Sequence, residues 1–147
     1  MRYIFLLTAL FLIGCTDPGP DIDRNQPRVT VGNGGSLHGG NATTIYADET
    51  VVSTSWGPSN DDRVEIVRNL PAGTYNKIRE TALAQVDAID QDAPPMPCVD
   101  YGTDYVTVYD ALDDQQSIAA GCPDEAVRTA QNAVLQIYFD AIEEPAE

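Results

Sequence analysis

Residues Arg63–Ile89 read RVEIVRNLPAGTYNKIRETALAQVDAI, and the spacing of their apolar side chains changes part-way along. Over Arg63–Arg68, Val64 and Ile66 oppose Arg63, Glu65 and Val67, the alternation of a strand with one face buried and one wet. From Leu70-Pro-Ala-Gly-Thr-Tyr75 onward, Tyr75, Ile78, Ala82, Val86 and Ile89 recur at steps of three and four. Lys77, Glu80, Gln85 and Asp87 fall mostly on the other side. That period belongs to an amphipathic helix of about four turns, with Thr74 or Asn69 as cap candidates. The prolines of Asp92–Pro97 end it.

Working back from this switch, Val51–Trp56 and Thr43–Ala47 are rich in β-branched and aromatic residues and are bounded by turn formers, which makes each a strand. Arg28–Val31 is a further short strand. Between them lies Gly32–Asn41, with five glycines in ten residues. A dinucleotide fingerprint there fails at Leu37, a phosphate loop lacks its Gly-Lys-Ser/Thr, and Ser36 and His38 lie too close in sequence for separate triad roles. The segment is expected to be a wide, glycine-permitted hairpin loop.

Downstream, Tyr105–Tyr109 and Gln116–Ala120 read as a hairpin turning near Asp113-Asp114. A second helix is expected from Cys122-Pro-Asp-Glu125, with the proline at its first position and acids in the first turn. Its apolar face is Val127, Ala130, Val134, Ile137, Tyr138 and Ala141. The fold class is therefore α+β: an antiparallel sheet built from a meander and a hairpin, with two amphipathic helices packed on one face. This order, with a glycine-rich first loop, resembles the small emfourin-type inhibitors of thermolysin-like metalloproteases, which would imply a protease-inhibitor-like domain.

The amino-terminal end has its own logic. Met1-Arg2 precedes an uncharged apolar run, Tyr3–Ile13, which is too short to span a bilayer that takes about 20 helical residues. Gly14-Cys15 follows, giving the layout of a secretory signal. Leu12-Ile13-Gly14-Cys15 closely resembles the lipobox of bacterial lipoproteins. That resemblance implies lipidation of Cys15 with diacylglycerol, cleavage of residues 1–14 and acylation of the new amino terminus. Two or three acyl chains anchor stably where one is marginal. Thr16, where enterobacteria use aspartate for inner-membrane retention, implies outer-membrane sorting in a Gram-negative envelope. Residues 15–27, with three prolines and almost nothing apolar, read as a lipidated cysteine and flexible tether, and 28–147 as one domain. Asp21–Asn25 imitates the start of an EF-hand loop but fails at Gln26 and Gly32.

The chain of 147 residues carries a net charge of −15, and loss of Arg2 with the signal deepens it by one. Such a charge repels phosphate backbones and gives a nucleic-acid role no electrostatic support, so none is expected. With Cys15 consumed by lipid, Cys98 and Cys122 are expected to pair in an oxidising compartment. Closing that loop contributes roughly 3 kcal/mol in the chain-entropy view. One histidine and no C-x-x-C spacing give neither a zinc site nor a redox motif, and no cofactor is expected, though so acidic a chain leaves cationic partners or divalent metal at modest affinity open.

Carboxylates are the only abundant reactive groups. Asp61-Asp62, Asp87/Asp90/Asp92, Asp100/Asp104 and Asp110/Asp113/Asp114 all fall near turns or helix ends, where aspartate ordinarily caps. A hydrolase built on a facing carboxylate pair is the catalytic alternative. The favoured reading is a non-catalytic module held at the cell envelope, reaching the membrane through its lipid and contacting an envelope or secreted protein or a glycan. Trp56 and Tyr101 are its candidate binding residues, since such side chains favour recognition surfaces.

Overall fold

The computed structural model describes residues 21–59, 62–89, 102–111 and 114–143. The signal stretch, Cys15, Cys98 and Tyr101 lie outside these. Six strands and two helices follow in the order β1 (Arg28–Ser36), β2 (Gly39–Tyr46), β3 (Thr50–Trp56), β4 (Val64–Asn69), α1 (Thr74–Ala88), β5 (Thr103–Ala111), β6 (Asp114–Ala120) and α2 (Glu125–Glu143). The strands form a single sheet in the order β4-β3-β2-β1-β5-β6. Every neighbouring pair is antiparallel. The meander therefore runs outward from β1 to the β4 edge, and the chain re-enters on the other side of β1 at β5. The expected α+β architecture is what forms.

Register explains where the core sits. Val29 lies opposite Ile45 on one side and Val108 on the other, and Val31 lies opposite Val106. Ile45 faces Val51, and Val106 faces Ile118. Directly opposed residues share a face, so these seven side chains make one apolar stripe across five strands. All are buried, together with Tyr75, Ile78, Ala82 and Val86 of α1 and Val127, Ala130, Val134 and Tyr138 of α2. The helices pack on each other and on β1, β5 and β6. Each buried Val or Ile contributes about 1.5–3 kcal/mol relative to exposure. Gln131 fastens α2 further by donating from Nε2 to the Gly32 carbonyl (2.8 Å) and the Tyr105 carbonyl (3.3 Å).

Four sequence expectations are corrected. The glycine-rich segment is not a wide loop: β1 runs on through Ser36 and β2 begins at Gly39, leaving Leu37-His38 as the turn. The strand read most clearly from alternation, β4, is exposed along its whole length. Val64, Ile66 and Val67 are 54%, 49% and 36% exposed, because the helices cover β1, β5 and β6 and stop short of this edge.

The two helix starts also differ. Neither Thr74 nor Asn69 caps α1: Gly73 precedes it with φ +86° and no side-chain bond of its own. The Glu49 carboxylate, reaching across from the β2–β3 turn, accepts from the Gly73 and Tyr75 amides at 2.6 and 2.8 Å. At α2, Pro123 lies before the cap. Asp124 is the cap, accepting from the Ala126 and Val127 amides at 2.8 and 3.0 Å.

Candidate binding site on the helix-free face of the sheet

Strand alternation sends every second residue to the face that neither helix covers. On β1 these are Arg28, Thr30 and Gly32, and on β2 Ala42, Thr44 and Tyr46. Thr30 lies opposite Thr44 and Thr107, and Gly32 lies opposite Ala42 and Tyr105. β3 adds Val52, Thr54 and Trp56, and β4 adds Glu65 and Val67 through the pairs Thr54–Glu65 and Val52–Val67. Here the glycines find their use. A Cβ on Gly40 would stand 2.4 Å from the Asn33 carbonyl oxygen and 2.6 Å from Trp56 Cζ2, and one on Gly32 would stand 2.4 Å from the Asn41 carbonyl oxygen and 2.8 Å from the Tyr105 hydroxyl. Gly34 lies under both rings, at ordinary contact distance from each. Glycine in a strand ordinarily weakens it, but here it lets two aromatic side chains lie down on the backbone.

Between them opens a cavity of about 420 Å³, within the roughly 300–1,000 Å³ typical of ligand sites. Ala42, Thr44, Val52 and Thr54 form its floor, Tyr46, Trp56 and Tyr105 its aromatic walls, and Arg24 and Arg63 its charged rim. Both guanidiniums turn to one carboxylate: Arg24 Nη2 donates to Glu65 Oε2 at 3.3 Å, and Arg63 Nη2 to Glu65 Oε1 at 3.0 Å. Thr30 and Thr44 share a hydroxyl hydrogen bond at 3.2 Å. Arg28 stacks on the Tyr109 ring, its Cζ 4.0 Å from the centroid, a cation–π contact that keeps another cation on this face. Burial, with the neighbouring Tyr109, pushes the Tyr105 phenol above its ordinary pKa, so it remains a neutral donor in this cavity at physiological pH.

The residues just before β1 help to shape the rim. Arg24 is held by Glu65 and by the Arg28 guanidinium, which donates to its carbonyl at 3.0 Å. Gln26 and Asp48 exchange two hydrogen bonds, at 2.9 and 3.2 Å. Burial acts to raise the Asp48 pKa, but the bonds from Gln26 and the Thr50 amide prevail and hold it below its usual value.

Of the candidate residues read from sequence, Trp56 stands in this cavity, whereas Tyr101 lies outside the described residues. Cys122 is buried and disulfide-bonded, and the other two cysteines, Cys15 and Cys98, lie outside. Among the carboxylates, Asp110 is held by Arg79, which donates from Nε and Nη2 at 2.8 and 2.7 Å. Asp104 is buried and accepts from Asn33 Nδ2 at 2.8 Å. Among the described residues, no three His, Cys, Asp or Glu side chains group so as to hold a metal. Nor is any described helix long and apolar enough to cross a membrane. Tyr105, one of the aromatics that surround the hairpin, also lines this cavity, whereas Arg24, Arg63 and Tyr46 were not singled out from the sequence, because long-range register alone brings them to Trp56. The signal that could have found them is the run of glycines opposite two aromatic strand residues.

No protein-family model matches this chain, and no match to it is found among curated proteins.

Proposed function

We propose that this is a lipid-anchored envelope protein whose domain binds a ligand, without catalysis, on the helix-free face of its sheet. The observation that carries the binding half is the arrangement of Trp56 and Tyr105 over Gly40, Gly34 and Gly32 beside a 420 Å³ cavity. A sheet needs only one covered face for its core. Aromatic side chains laid on glycine on the other face, with cations around them, favour recognition. The anchor half rests on Leu12-Ile13-Gly14-Cys15 and the short apolar run before it.

Each half has its own test. With radiolabelled palmitate, the wild-type chain is expected to take up label and Cys15→Ser to take up none; labelling and normal cleavage of that variant would overturn the anchor. For the binding half, purified protein is mixed with washed envelope fragments and sedimented. Trp56→Ala is expected to lose co-sedimentation, while Phe139→Ala on the exposed side of α2 retains it. Equal retention of both variants would overturn the assignment to this face.

A further inference from the structure

Resting on that reading of the open face, we infer the ligand's chemistry: a sugar chain bearing an isolated carboxylate, such as a glycan carrying a uronic acid. Three observations converge on it. Arg24 and Arg63 share the single carboxylate of Glu65, so the cluster keeps a surplus positive charge. Each guanidinium uses one of its five donors there, leaving the planar fork of at least one free for a second carboxylate. Both arginines are more than half exposed, so a ligand can reach them.

Four of the chain's eight basic residues are Arg24, Arg28, Arg63 and Arg68, and three of these lie on the open face, in a protein of net charge −15. Among the described residues, the carboxylate in ion-pair contact with Arg24 and Arg63 is Glu65, and Asp62 lies against Gly57 beside Trp56. Dense polyanions are repelled by the molecule as a whole, but screening at physiological salt confines that repulsion to about 8 Å. A single carboxylate delivered to the Arg24–Arg63 rim meets the guanidinium donors that Glu65 leaves free.

The cavity walls select the rest of the ligand. A pyranose ring presents an apolar C–H face to an aromatic ring and hydroxyls around its edge. Trp56 and Tyr105 supply the aromatic surface, and Thr44 and Thr54 on the floor and the neutral Tyr105 phenol supply hydroxyl partners. An acidic peptide fits less well. Peptides dock to sheets by adding a strand at an edge, where the backbone ladder is free. This cavity lies on a face, between strands whose ladders are already paired on both sides.

The test uses the full chain in detergent and its one tryptophan, Trp56, as reporter. The probe is an aldouronic oligosaccharide, one glucuronic acid on a short xylose chain, titrated beside the neutral xylose oligomer, heparin and poly-glutamate. The expected result is saturable change in Trp56 emission with the aldouronic probe alone, weakening as salt is raised. Arg63→Gln and Arg24→Gln are each expected to weaken binding about tenfold or more, as loss of a charge-assisted hydrogen bond does. Arg128→Gln on α2, away from the cavity, should change nothing. Equal binding of the neutral oligomer, or binding of poly-glutamate or heparin instead, would overturn the inference while leaving the open face as a binding site. No binding by any probe would overturn the inference alone; the envelope sedimentation of Trp56→Ala separately decides the broader reading.

Discussion

Glu49 shows how much one side chain can organise. It stands at φ 68°, a left-handed conformation that glutamate rarely adopts. Its amide donates to the Tyr46 carbonyl at 3.0 Å, its own carbonyl accepts from Leu70 at 2.9 Å, and its carboxylate caps α1. A negative group at a helix amino terminus also suits the helix dipole. Glu49→Ala is therefore expected to cost about 1–2 kcal/mol in denaturant unfolding, and no loss would show the cap to be idle. The Tyr75 hydroxyl is the opposite case, buried with no hydrogen-bond partner among the described residues. Leaving such a group unsatisfied costs about 1–3 kcal/mol. Tyr75→Phe should accordingly preserve or raise stability, and a clear destabilisation would mean the hydroxyl has a role this geometry lacks. Neither feature was legible in the sequence, because Glu49 and the α1 start are joined by the sheet and not by local spacing.

At the scale of elements, periodicity and burial parted company. The faces of α1 and α2 were readable, because three-and-four spacing of Tyr75, Ile78, Ala82 and Val86, or of Val127, Ala130, Val134 and Tyr138, has one outcome once a helix packs. β4 alternates as cleanly and buries nothing, since alternation records a strand's two faces and not whether a helix reaches them. The contrast can be measured. Ile66→Thr should change stability by no more than about 0.5 kcal/mol, whereas Ile78→Ala should cost about 2–5 kcal/mol. The glycine run misled for a related reason. Gly32 and Gly40 mark close approach by the neighbouring strand's backbone and by Tyr105 and Trp56, residues that come from other strands. Gly40→Ala would press on both the Asn33 carbonyl and the Trp56 ring, at about 1–3 kcal/mol, with a change in tryptophan emission as the readout of the ring's displacement.

For the whole molecule, charge and asymmetry matter most. Helices on one face leave the other to gather aromatic and cationic side chains, while acidic residues dominate the chain at −15. The pH response has a definite sign. Burial raises the Tyr75 and Tyr105 pKa values above the ordinary 10.0. A group whose folded pKa is raised contributes stability that is complete below the unfolded value, about 10, and is lost as pH rises through the folded one. Stability should hold through neutral pH and fall in the alkaline range, with the fall reduced in a Tyr75→Phe/Tyr105→Phe variant. Equal alkaline loss in that variant would assign the effect elsewhere. What the sequence could not supply was the arrangement of this face, since Tyr46, Trp56 and Tyr105 meet only through the register of four strands and Arg24 reaches them through Glu65.

The central claim is that the helix-free face is where this protein meets its ligand. Hydroxyl-radical footprinting of the protein in intact envelopes, against the purified chain, tests it most directly. Protection is expected at Trp56 and Tyr105, with Phe139 on α2, 48% exposed, oxidised equally in both states. Protection of Phe139 with Trp56 left fully reactive would contradict the account.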